Sequence, residues 1–180
     1  MPEAINITHL VAVSPEREVL VRLHLLRADN KEQIAELIKP CVESAYAKED
    51  FTAELLKAGY FVLTITKQDV VIATLTAYWL PCPANAFETR FEAVHKDYQR
   101  KGYGAMLFQA MDVAALFLAK QDPYIAINLG GYTTLAIHAY DDVKKKTHPT
   151  FWHTDMMLKM GYEEVEIVRK ERLMEKIIDL

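Results

Sequence analysis

Two of the six glycines in this 180-residue chain stand two positions apart, in the run Val94-His95-Lys96-Asp97-Tyr98-Gln99-Arg100-Lys101-Gly102-Tyr103-Gly104-Ala105. The residues before it read as a strand and those after it as a helix. Small residues at a strand-to-helix turn let an anion approach backbone N–H groups, and the helix N-terminus adds positive potential. Arg100 and Lys101 place side-chain charge beside the turn. The chemistry that fits is the holding of a phosphate or pyrophosphate; a tight turn with glycines for close packing alone is the alternative. No G-x-x-x-x-G-K-S/T loop is present. A Gly-x-Gly without a third glycine, midway along the chain and behind an antiparallel hairpin, is not how a dinucleotide-binding unit begins.

Other chemistry-bearing residues support less. Cys41 and Cys82 are the two cysteines, too few for a disulfide framework or a four-ligand zinc site. His148 and His153 lie five residues apart, which suits no helical face, so no metal is expected; with Trp152 and Asp155 they are instead candidates for a substrate mouth. The net charge of −4 argues against a nucleic-acid binder held by phosphate contacts. A hydrophobic content of 51 % with 26 % charged residues is ordinary globular composition. No apolar run approaches the ~20 residues of a membrane span. The N-terminus lacks a basic region ahead of its apolar stretch, so no secretory signal is expected. These readings favour a cytoplasmic protein of one domain over residues 1–180, with a core of about 19–170, that engages neither membrane nor nucleic acid, as a monomer or homodimer.

The elements that must position the glycine turn follow from periodicity. Residues 19–26 alternate as a strand. Asp29 and Glu32 have capping-box spacing ahead of Ile34, Leu37, Ile38 and Val42, a helix that Pro40 breaks or kinks. A further helix is expected from near Asp50 to Gly59, the glycine taking the left-handed C′ position. Residues 61–66 and 70–80 around Lys67-Gln68-Asp69 predict a hairpin ended by Pro81 and Pro83, with Tyr78 and Trp79 in the core or one of them facing substrate. Residues 89–95 predict a strand and 102–119 a long helix. The apolar run 124–129, bounded by Gly130 and Gly131, predicts a buried strand, and another strand is expected around 163–170. The fold class is α/β, with a parallel strand–helix–strand unit at its centre.

Gln99-Arg100-Lys101-Gly102-Tyr103-Gly104-Ala105 resembles the Gln/Arg-x-x-Gly-x-Gly/Ala signature of the GNAT N-acetyltransferases, and the order of elements looks like that fold. The likeness spans roughly 19–170, and its specific part is 92–105. It implies a mixed central sheet with splayed parallel strands flanked by helices, and acetyl-CoA as co-substrate. Residues Gln99, Arg100, Lys101, Gly102, Tyr103, Gly104 and Ala105 would hold its pyrophosphate, and Glu92, Ala93 and Val94 would lie along the pantetheine arm. Lys96 stands where the family usually has proline. The resemblance further implies direct attack by a primary amine, so no cysteine nucleophile is needed.

Amine acetylation requires a base for the amine and an acid for the departing thiolate. Glu88 and Glu92, four residues apart, point to one face if the strand is regular. Glu88 lies fourteen residues before Gly102, where the histone acetyltransferase branch of the family carries its glutamate base. Either carboxylate also reads as a solvated strand residue. The family's acid is a tyrosine in the helix after the next strand, often in Ala-x-x-x-Tyr before a Gly-Phe pair. Two registers are compatible. In one, Ala136-Ile137-His138-Ala139-Tyr140 is that helix, with His138 a surface residue or a proton shuttle. In the other, Gly161-Tyr162 is the Gly-aromatic pair, Met157 stands at the tyrosine's place, and 133–140 is a strand ending near the cleft at Tyr140. Tyr140 is the candidate acid in both. The acceptor is expected to be a small amine such as a polyamine, or a peptide lysine or N-terminus. A GNAT-like module that binds CoA or a partner without turnover is the alternative.

Overall fold

The structure, a computed structural model, describes residues 4–12, 18–45, 57–81, 83–142, 154–168 and 171–180. Eight strands form one mixed sheet among these residues: β1 (Ile5–Asn6), β2 (Leu20–Leu25), β3 (Phe61–Lys67), β4 (Val70–Leu80), β5 (Ala86–Val94), β6 (Thr134–Asp142), β7 (Glu163–Val168) and β8 (Glu171–Asp179). Their order across the sheet is β1-β2-β3-β4-β5-β6-β8-β7. The β5–β6 pair is parallel and every other neighbouring pair antiparallel. The helices are α1 (Lys31–Ala45), α2 (Tyr103–Gln121), α3 (Pro123–Leu129) and α4 (Thr154–Lys159). Among the described residues no helix is long and apolar enough to cross a membrane.

Helices on both faces explain why β3 and β4 are buried along nearly their whole length, threonines included. On one side, Ile34, Ile38, Cys41 and Val42 of α1 pack with Val62, Val71 and Ala93. On the other, Leu107, Phe108, Met111 and Ala115 of α2 join Leu63, Ile65, Leu75, Phe87 and Ile137. The predicted hairpin is present: Gln68 (φ 49°) and Asp69 (φ 62°) form a two-residue turn whose left-handed residues match the strand twist. Trp79 and Tyr78 are buried, as expected.

Several expectations are corrected. Residues 124–129 are the helix α3, not a strand. Asp122 accepts a bond from the Tyr124 N–H at 2.8 Å, Pro123 takes the first turn, and Gly130 ends the helix at φ 54°. Ile125 and Leu129 point inward while Ile127 is 78 % exposed, a helical spacing hidden inside a run of apolar residues. The strand that follows α2 is therefore 134–142, and the Ala136–Tyr140 helix does not exist. Leu135, Ile137 and Ala139 pack on the α2 side, and the intervening residues face the other way.

Pro40 does not break α1, because the apolar face of Ile34, Ile38, Cys41, Val42 and Ala45 continues across it. Asn30, rather than the Asp29–Glu32 pair, shapes the start of that helix. Its Oδ1 accepts from the Arg27 N–H at 2.8 Å and its Nδ2 donates to the Leu25 carbonyl at 2.9 Å. Gly59 is not among the residues with positive φ. The body of the helix expected from Asp50 lies outside the described residues, as do Cys82, His148, Trp152, His153 and the side chain of Asp155. The strand expected around 163–170 is β7, and β8, which pairs with it, went unread.

Candidate active site

The sheet opens between its two parallel strands. β5 and β6 pair only at Ala86–Ala136, Phe87–Ile137 and Glu88–His138. Beyond that rung β5 stays with β4 as far as Val94, and β6 stays with β8 as far as Asp142. The β6-facing edge of β5 from Thr89 to Val94 thus runs along a wedge with no ladder neighbour among the described residues.

A bulge shapes this edge. The β4–β5 register shifts between Thr74 and Thr76, and Phe91 has φ 54°. A bulge adds a residue to one strand and re-aims the side chains beyond it. Glu88 is opposite Tyr78, on the α1 side of the sheet, and Phe87 is in the α2-side core. Past the bulge the parity reverses: Phe91 and Ala93 pack with α1, and Glu92 faces the α2 side. The expectation that Glu88 and Glu92 share a face is therefore wrong, because the strand is not regular between them.

The wedge leads to the glycine turn. Gln99 Nε2 donates to the Val94 carbonyl at 3.0 Å, tying the turn to the end of β5. Lys96 N–H donates to Ser44 Oγ at 3.0 Å, fixing it to α1. Lys101 Nζ donates to the Asp97 carbonyl at 2.8 Å and lies over the Tyr98 ring. Arg100 (φ 59°) and Gly102 (φ 83°) are left-handed on either side of Lys101, the alternation from which backbone anion nests are built. Gly102 caps α2 without a side-chain bond, and the first intrahelical bond runs from Met106 N–H to the Gly102 carbonyl. The hydrogen-bond ladder of α2 therefore begins at Met106, and the turn before it presents the N–H groups of a helix N-terminus. The side chains of Gln99 and Tyr103 serve the scaffold: Tyr103 is buried and meets Tyr98 edge-on. Ala93 is buried under α1, beside Cys41.

On the α1 side of the wedge stand Glu88, His138 and Tyr140. Glu88 is 7 % exposed, and Arg90 Nε donates to its Oε1. The Arg90 guanidinium lies 5.3 Å from the centre of the Tyr78 ring. His138 Nε2 is 2.8 Å from Glu175 Oε2. Tyr140 is half-buried; burial, and then the charge of Glu88, push its hydroxyl above the ordinary tyrosine value, so it stays a proton donor.

The α2 side carries a second polar group. Burial pushes the Glu92 carboxyl up, opposed by the Thr89 hydroxyl. Tyr162 is 2 % exposed and packs edge-on against Phe108, its hydroxyl raised by burial and then by Asp112 and Glu92. Lys176 Nζ donates to Asp112 Oδ2. Met157 is fully buried in this core, and 134–142 is strand, as in the register that reads Gly161-Tyr162 as the Gly-aromatic pair.

Arg90 and Glu175 were not singled out in the sequence. The alternation Ala136-His138-Tyr140 against Leu135-Ile137-Ala139 is the signal from which a strand could have been read here; the pairing of His138 with Glu88 comes from the structure. Among the described residues no group of three or more His, Cys, Asp or Glu is placed to hold a metal ion.

A sheet that splays between two parallel strands, with a glycine-led helix N-terminus at the wide end, defines the class. The Acetyltransferase (GNAT) family model matches residues 31–120, half of the chain, and the chain belongs to that family. Solved structures share the fold. A GNAT-family acetyltransferase from Desulfovibrio desulfuricans is 15 % identical with a TM-score of 0.58, over 89 % of this chain and 98 % of its own. An acyl-CoA N-acyltransferase from Pseudomonas aeruginosa is 12 % identical with a TM-score of 0.58, over 88 % and 99 %. PaiA N-acetyltransferase from Thermoplasma acidophilum, solved in complex with coenzyme A, is 14 % identical with a TM-score of 0.50, over 87 % and 98 %. No curated protein sequence matches the chain.

Proposed function

We propose that this single-domain chain moves an acetyl group from acetyl-CoA to a primary amine by direct attack, in the cytoplasm. The observation that carries the reading is the wedge: a β5 edge whose ladder with β6 ends at Glu88 and which runs on to the glycine-capped N-terminus of α2. Both features fit the co-substrate. The backbone of Gly102, Tyr103, Gly104 and Ala105, with Arg100 and Lys101, would hold the pyrophosphate, and the edge from Glu92 to Val94 would hold the pantetheine arm. The bound thioester supplies an acyl group open to nucleophilic attack.

The protein's own groups do the rest. Glu88, on the α1 side, meets and orients the acceptor's ammonium, which favours a cationic small amine or a peptide amine. Tyr140, held protonated, gives its proton to the sulfur that leaves. Glu92 lies on the opposite side and lines the thioester end. Titration calorimetry with acetyl-CoA, followed by acetyl transfer to a panel of polyamines, lysyl peptides and aminoglycosides, tests the reading. Absence of acetyl-CoA binding rejects it. Binding without turnover would favour the idle CoA-binding module, a reading supported by Met157 standing where the family carries its tyrosine.

A further inference from the structure

The geometry points to His138, positioned by Glu175, as the group that takes the proton from the acceptor amine; this rests on the acetyl-transfer reading above. Glu88, His138 and Glu175 occupy one rung across β5, β6 and β8, and residues opposite one another in register share a face. That rung is the last before β5 and β6 part. The imidazole is therefore at the apex of the wedge, two residues before Tyr140 on the same face of β6.

The two carboxylates flanking it differ. Glu88 is engaged by the Arg90 guanidinium, whereas Glu175 bonds the ring itself at 2.8 Å. An ionised carboxylate can only accept, so in the neutral ring the hydrogen sits on His138 Nε2 and Nδ1 is the nitrogen left to take a proton. A base whose second nitrogen is held by a carboxylate is fixed in tautomer and orientation, and the imidazolium it becomes is stabilised by that carboxylate. Glu88 then anchors the ammonium while His138 deprotonates it.

The protons balance. The ammonium gives one proton to Nδ1, and its nitrogen then forms the C–N bond to the thioester carbonyl carbon. The C–S bond breaks, and sulfur takes the Tyr140 hydroxyl proton. The nitrogen's second surplus proton returns to Tyr140 through water. The products are the acetamide, the free thiol of CoA and an imidazolium that releases its proton to solvent.

The test uses the full chain with spermidine, a lysyl peptide and kanamycin as acceptors, keeping whichever the wild type acetylates fastest. His138→Ala is expected to lower kcat about 100-fold while acceptor KM changes less than about threefold, and added imidazole is expected to restore about a tenth of the loss. Glu175→Gln is expected to lower kcat about tenfold. His138→Gln, with its melting temperature, separates lost chemistry from lost folding. A readout free of turnover is the nitrogen-15 spectrum of the His138 ring in the unliganded protein. The hydrogen is expected on Nε2 in wild type, with that preference lost in Glu175→Gln. Wild-type kcat in folded His138→Ala or His138→Gln, no rescue by imidazole, or a hydrogen on Nδ1 in wild type would each overturn the assignment. Binding of acetyl-CoA without transfer to any acceptor would overturn the acetyl-transfer reading, and the assignment with it.

Discussion

Glu88 and Glu92, four residues apart on β5, face opposite sides of the sheet because the strand bulges at Phe91, where φ is 54°. One carboxylate thus belongs to the side on which α1 packs, with His138 and Tyr140. The other belongs to the side of α2, near Tyr162.

Their substitutions are expected to separate. Glu88→Gln should raise acceptor KM about tenfold or more, an effect of about 1.4 kcal/mol, and leave acetyl-CoA affinity unchanged. Glu92→Gln should leave acceptor KM within about threefold of wild type, the range of an interaction not made with the acceptor. Steady-state kinetics with each substrate varied in turn check this, and equal shifts in acceptor KM would place both groups on one side.

Glu92 also makes a prediction about stability. Its carboxyl is raised by burial, so between the unfolded value near 4.5 and its higher folded value the native state holds more protons than the unfolded state. Stability contributed by this site is present at low pH and falls as pH rises through that window. Glu92→Gln removes the dependence. The variant should gain in melting temperature relative to wild type between pH 4 and pH 8, and a constant difference across that range would show that Glu92 is not the source.

Most of this architecture was legible because hairpins and long helices carry local signals. Gln68-Asp69 between two β-rich runs, and the Ala- and Leu-rich stretch after Gly102, specify their own structure. The glycine turn was legible for the same reason, since Gly102 supplies a positive φ that few other residues adopt cheaply. What was not legible depends on distant partners. Tyr124–Leu129 is too short and too apolar for its period to be seen, and Asp122-Pro123 was the better guide to its helical state. The bulge at Phe91 leaves no mark in composition, because phenylalanine is not a residue that advertises left-handed backbone. The face of Glu92, and hence half of the candidate site, turned on that one torsion.

The glycine turn can be tested by filling it. Gly102 sits at φ 83°, so valine there is strained as well as bulky, and valine at Gly104 would project from the first turn of α2. Each substitution should weaken acetyl-CoA binding at least about 100-fold, close to 3 kcal/mol, with the far-ultraviolet spectrum of the folded protein retained. Unchanged affinity by calorimetry would move the pyrophosphate elsewhere.

Tyr140→Phe should lower kcat about 10- to 100-fold while acetyl-CoA affinity stays within about threefold, the pattern of a proton donor used only in the transition state. Because burial and Glu88 raise the hydroxyl above its ordinary value, the donor stays protonated through pH 9. No loss of wild-type rate up to pH 9 should then come from this group. Wild-type turnover in Tyr140→Phe would remove the hydroxyl from the mechanism.

His24 gives the fold an acid-sensitive point away from the wedge. It is 3 % exposed, its Nε2 is 3.0 Å from Thr64 Oγ1, and no partner for Nδ1 is found among the described residues. Burial, then the charge of Arg22, lowers its value from 6.5 to about 4. Between those limits the unfolded chain binds the proton and the native chain does not, so stability is intact above pH 7 and falls as pH drops through the window. The full effect, reached near pH 4, is at most about 3 kcal/mol. His24→Gln removes the titrating group. Its melting temperature should fall less steeply than that of wild type between pH 7 and pH 4.5, and parallel curves for the two proteins would show that His24 is protonated in the folded state without penalty.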